Sequence, residues 1–169
     1  MIERSPAWLT RAGAMVVTVL VTAAVTPLAR AAEHVMRLVM ESEQGRFLFE
    51  PSLLVIDPGD TVTFVPESRM HGVKSVAGML PEGATPWRGR MGEQISVRLD
   101  QPGVYGVKCP AGYDVGMVGL IVVGNDPPAN WQSARAVRHP PAASTAFDEL
   151  FAAAACRLKL ASATGCATN

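Results

Sequence analysis

Between His34 and Val123 the apolar residues come in short runs, several of them alternating with polar ones, which is the period of a strand with one face buried. The runs are "HVMRLVM" (34–40), "FLFE" (47–50), "LLVI" (53–56), "TVTFV" (61–65), "ISVRL" (95–99), "VYGVK" (104–108) and "VGLIVV" (118–123). They are rich in β-branched and aromatic residues, which suit a pleated, half-buried surface. Between them, "DPGD" at Asp57 to Asp60 and "QPG" at Gln101 to Gly103 put proline and glycine where tight turns need a preset and a permissive φ. Seven short strands spaced in this way predict an all-β sandwich. The pattern changes at "GNDPPAN". After it, "WQSARAV" and "STAFDELFAAAACRLKL" read as helices, the second with Phe147, Leu150, Phe151, Ala154 and Leu158 at helical spacing. Thr145, with Asp148 three residues on, is the expected N-cap of that helix.

A length of 169 residues suits one domain with a sizeable core. Its first part reads as an export segment: Arg4 and Arg11 precede the apolar run "AGAMVVTVLVTAAV", and "ARA" at Ala29 to Ala31 is a small-residue cleavage motif. A membrane anchor is the rival reading, but the run is shorter than the roughly 20 residues that span a bilayer. The expected organisation is therefore a signal peptide over 1–31, a sandwich over 32–125, a helical extension packed on it over 126–160, and a loose tail over 161–169. Loss of residues 1–31 removes Arg4, Arg11, Arg30 and Glu3, leaving 12 basic and 14 acidic residues from the original 15 of each. A nearly neutral chain without runs of like charge argues against nucleic acid and anionic membrane as partners and favours protein.

The candidate chemistry is sparse. Cys109 is the one cysteine in the body of the sandwich, and Cys156 and Cys166 lie together near the C-terminus, where they are expected to pair in an oxidising compartment. Of three histidines, His34 and His139 read as solvated, while His71 in "ESRMHGVKS" follows a predicted strand and stands at one end of a sheet. No nucleophile elbow, H-E-x-x-H helix or phosphate-cradling glycine loop is present, which argues against an enzyme. "VKCPAGYDVGM", from Val107 to Met117, places a cysteine and a methionine at the two ends of a tight turn, as in a copper ligand loop. If cleavage falls after Ala31, the free amine of Ala32 with His34 in third position would also form a square-planar Cu(II) or Ni(II) chelate.

The stretches "FEPSLLVIDPGDTVTFVPESRMHGVKSVAGMLPEGA" and "LDQPGVYGVKCPAGYDVGMVGLIVVGNDPPAN" resemble the pseudoazurins, blue-copper proteins of the cupredoxin family, and the likeness extends over nearly all of the chain after residue 31. The resemblance implies a Greek-key sandwich with two C-terminal helices. It also implies one mononuclear copper, electron transfer in the periplasm, and a redox partner such as a nitrogen-oxide reductase or a cytochrome. It assigns His71, Cys109 and Met117 to three of the four family ligand positions. The fourth, a histidine, falls on Gly112. Two neighbouring positions depart as well, Gly72 for a common asparagine and Ala111 for a usual proline.

One nitrogen and two sulfurs suit Cu(I) better than Cu(II), because soft donors favour the softer ion. Water, imidazole, a partner's histidine, or with rearrangement Tyr113, Asp114 or His139 would complete the set. Two functions follow: electron transfer, or a binding role in which the site handles Cu(I) or serves protein contacts without metal.

Overall fold

The computed structural model of the chain describes residues 31–42, 45–160 and 166. The expected export segment, apart from Ala31, and most of the expected tail lie outside the described residues. Among the described residues eight strands are formed: β1 (Glu33–Ser42), β2 (Gly45–Glu50), β3 (Leu53–Ile56), β4 (Asp60–Pro66), β5 (Lys74–Ser75), β6 (Ile95–Leu99), β7 (Gly103–Lys108) and β8 (Val118–Val123). They make two four-stranded sheets, ordered β2-β1-β4-β6 and β3-β8-β7-β5. Parallel pairs, β1 with β4 and β3 with β8, occur inside otherwise antiparallel sheets, so chain connections must cross between the sheets.

All seven predicted strands are present, and β5 is the addition. Two residues, one of them the exposed Lys74, carry no hydrophobic period to detect. In β4 the alternation works as expected, with Val62 and Phe64 fully buried and Thr61 and Thr63 half-exposed. All of β8 is buried, because both its faces are covered. Ile121 and Val123 join Met36, Phe49, Phe64 and Tyr105 between the sheets. Val118, Leu120 and Val122 face the other way, toward Trp131, Phe147 and Phe151 of the helices.

Those helices are α1 (Trp131–Arg135) and α2 (Pro141–Arg157), the third layer of the molecule. Burying each large side chain here contributes roughly 1.5–3 kcal/mol. Phe147, Phe151 and Ala154 are buried and Leu150 and Leu158 half-buried, as the spacing predicts. The expected N-cap is corrected. Pro140 precedes the first turn and Pro141 opens it, and the Thr145 hydroxyl donates to the Pro141 carbonyl at 3.2 Å inside the helix. Proline at the first helical position lacks only an N–H that would go unpaired and has its φ already set, so the helix starts a full turn early. Cys156 and Cys166 form a disulfide.

Candidate metal centre

His71, Cys109 and Met117 converge at one end of the sandwich. His71 lies in the segment between β4 and β5, and that segment is bracketed by residues 87–92. The Gly92 N–H donates to the His71 carbonyl at 2.6 Å, and the Gly89 N–H to that of Val73 at 2.9 Å. Cys109 follows β7 and Met117 precedes β8, so the antiparallel pairing of those strands brings them together, with the Cys109 N–H donating to the Met117 carbonyl at 3.1 Å. Cys109 and Met117 are fully buried and His71 is 4% exposed.

The imidazole Nδ1 of His71 faces the Cys109 sulfur at 3.5 Å. That separation lets one ion bond both atoms at about 2.0–2.3 Å each. Burial holds the His71 pKa below its ordinary value, which keeps the ring neutral and a nitrogen lone pair available. The buried Nε2 has no hydrogen-bond partner among the described residues. The Phe47 ring stands edge-on to this histidine at 6.3 Å. Among the described residues no three His, Cys, Asp or Glu side chains gather at one point. Neither Asp114 nor His139 therefore joins His71 and Cys109.

The gap expected at Gly112 is not open space. The backbone there, φ −110° and ψ 10°, would accept any residue. A Cβ on Gly112, however, would lie 2.7 Å from the Met117 Cβ and 2.9 Å from its sulfur. Met117 fills the volume a side chain at 112 would need. Gly72, the second departure, is covered in a similar way, its missing Cβ lying 3.0 Å from the Arg90 carbonyl oxygen and 3.1 Å from the Met91 sulfur. Between Gly112 and Met117 the loop folds as a single 3-10 turn, Tyr113–Val115, closed by Gly116 at φ 88°, a left-handed conformation that costs glycine little.

Two histidines read as solvated are partnered instead. His139, between the helices, shares a hydrogen bond through Nδ1 with the Tyr113 hydroxyl at 2.6 Å, and its ring lies 4.5 Å from that of Phe147. Lys108 places its ammonium 3.7 Å above the Tyr113 ring. Proline-rich sequence around His139 gave no sign of this, because the contact spans 26 residues. His34 is half-buried, its Nε2 donating to Asp60 at 2.8 Å. Glu33 and His34 pair with Thr61 and Val62, which keeps their backbone extended and opposes the wrapped geometry of a square-planar chelate.

A buried thiol facing a neutral imidazole at one end of a two-sheet sandwich, with a buried methionine closing the same loop, agrees with what known proteins show. The profile of copper-binding proteins of the plastocyanin/azurin family matches residues 36–124. The chain belongs to that family. It is 36% identical over 118 residues to the pseudoazurin of Paracoccus pantotrophus, covering 70% of this chain and 81% of that one. It is also 36% identical over 135 residues to the pseudoazurin of Methylorubrum extorquens, covering 80% and 90%. The crystal structure of pseudoazurin from Methylobacterium extorquens AM1 superposes with a TM-score of 0.69 at 35% identity, covering 72% of this chain and 98% of that one. Pseudoazurin from Hyphomicrobium denitrificans gives 0.67 at 30% identity, covering 72% and 97%. This is a pseudoazurin-like cupredoxin, a copper electron-transfer protein and not an enzyme.

Proposed function

We propose that this cupredoxin is exported to the periplasm and carries one copper on His71, Cys109 and Met117, without a second imidazole. The observation that carries this reading is the packing of Met117 against Gly112, which leaves an imidazole nitrogen, a thiol and a thioether as the donors at the site. When bound, copper supplies a one-electron couple, and this donor set favours its reduced state. The chain's own part is to exclude water, to hold the His71 ring neutral and aimed at the thiol, and to keep the loop closed.

Export is supported by the Ala29–Ala31 cleavage motif and by the Cys156–Cys166 disulfide, a bond that persists in oxidising compartments. The surface around His71 supports a protein partner. Met70 and Met91 are exposed, with Arg69, Lys74, Arg88 and Arg90 exposed on the same paired segments. An acidic periplasmic redox protein, such as a nitrogen-oxide reductase or a cytochrome, fits that charge, which would steer encounter and orient the docked pair. The soft donor set also favours a second reading, a carrier that receives and hands over Cu(I).

Anaerobic titration against a colorimetric Cu(I) chelator, followed by voltammetry, tests both. One Cu(I) per chain, lost in Cys109→Ser, with a reversible couple at an electrode is the expected result. Tight Cu(I) binding without a reversible couple selects the carrier reading. No binding overturns both.

A further inference from the structure

We infer that the carboxylate of Asp60 is the receptor for the chain's own amino terminus: hydrolysis of the Ala31–Ala32 bond creates an ammonium group on Ala32 that docks on Asp60 beside His34. The inference rests on the export reading for the cut, while the docking rests on geometry independent of the copper centre.

Asp60 opens β4 and is 5% exposed. A carboxylate withdrawn that far from water needs donors. One oxygen accepts the Ala32 N–H at 2.7 Å, and the other accepts His34 Nε2 at 2.8 Å and the Asp57 N–H at 3.1 Å. Burial works against the charged form, but the hydrogen bonds from His34, Ala32 and Asp57 and the attraction of His34 together outweigh it and hold Asp60 below its ordinary pKa. Of the other charged groups nearby, Asp57 lends its backbone N–H, and Arg98 of β6 is paired with Asp100 at 2.7 Å.

Ala32 is also where the chain first joins a sheet, its carbonyl accepting the Thr61 N–H at 2.9 Å. The small residues Ala29 and Ala31 mark the same bond for an export peptidase. In that step water adds across the bond: its oxygen completes the Ala31 carboxylate, and the Ala32 nitrogen leaves as an amine that takes up a proton. A neutral amide donor to Asp60 thereby becomes a cation, and a charge-assisted pair between two ionised groups is stronger than one to an amide. The docked ammonium holds its proton more tightly than a free amino terminus. Its contribution is therefore present below the ordinary value of about 7.7–8.0 and is lost as pH rises through the docked value.

The test exports the full-length chain from a bacterium in three forms: native, with one glycine inserted between Ala31 and Ala32, and Asp60→Asn. Intact mass of the native product is expected to begin it at Ala32; any other start overturns the cut and leaves the copper reading untouched. Urea unfolding at pH 6.5 is expected to give the native product a folding constant about tenfold above the glycine-extended one. That difference is expected to vanish at strongly alkaline pH and to be missing in an Asp60→Asn background with and without the glycine. Equal folding constants for native and extended products at pH 6.5 overturn the docking. If Asp60→Asn does not fold, the comparison of native with extended product across pH decides alone.

Discussion

At position 112 the absence of a side chain is matched by the presence of another. Met117 reaches into the space that a residue 112 side chain would take, so restoring a histidine there does not simply fill a hole. Gly112→His must displace the Met117 Cβ, which is fixed to the backbone. Overpacking of this kind costs about 1–3 kcal/mol. Urea unfolding should show that loss in the single variant, and Gly112→His/Met117→Ala should recover only the part due to the Met117 sulfur, since alanine keeps the Cβ. Loaded with Cu(II), the double variant should develop an intense blue thiolate-to-copper band absent from the native protein, because two imidazoles and a thiolate are then available. Native protein that is already intensely blue would count against the proposed donor set. That Cys109 and Met117 close one turn was legible in the sequence, because the two ends of a single loop are a local feature. The packing of Met117 was not, since it depends on a contact between side-chain volumes that only the closed loop creates.

The loop carrying Met117 is held as an element by groups outside it. The Tyr113 hydroxyl bonds His139, and Gly116 sits so close to the first turn of α2 that a Cβ there would lie 3.1 Å from the Ala142 carbonyl oxygen. Tyr113→Phe leaves the His139 nitrogen without its hydrogen-bond partner and should cost about 1–3 kcal/mol. Hydrogen exchange at the amides of residues 113–117 should quicken with it. Burial, and then the nearby Lys108, hold the pKa of His139 below its ordinary value, while Asp148 opposes them more weakly. The folded state therefore binds fewer protons than the unfolded one, and this part of the stability is present above about pH 6.5 and is lost as pH falls through the folded value. His139→Phe should flatten that acid limb. The strands were readable because each has its own period, whereas His139 and His34 were misread because their partners, Tyr113 and Asp60, stand 26 residues away in the sequence.

For the whole molecule, the pair β7 and β8 is the shared wall of two cores, one between the sheets and one beneath the helices. The continuous apolar run of β8 makes sense only with the helical layer in place, since a two-layer sandwich would leave Val118, Leu120 and Val122 facing water. That layer also reaches the loop of Cys109 and Met117, through His139 and the start of α2. Phe147 stacks on His139, which holds the ligand loop, whereas Phe151 lies a turn further along and meets Trp131 edge-on at 5.1 Å. Both rings are 2% exposed, so Phe147→Ala and Phe151→Ala should each lower stability by about 3–5 kcal/mol, measured by urea unfolding. Their effects on the proposed copper site should differ. Phe147→Ala should speed Cu(I) release to a chelator, because His139 loses its support and the loop opens more often. Phe151→Ala should leave the release rate near that of the native protein under conditions where both variants are folded. Equal acceleration in the two would mean that general loss of stability opens the loop, and that His139 has no particular part in keeping it closed.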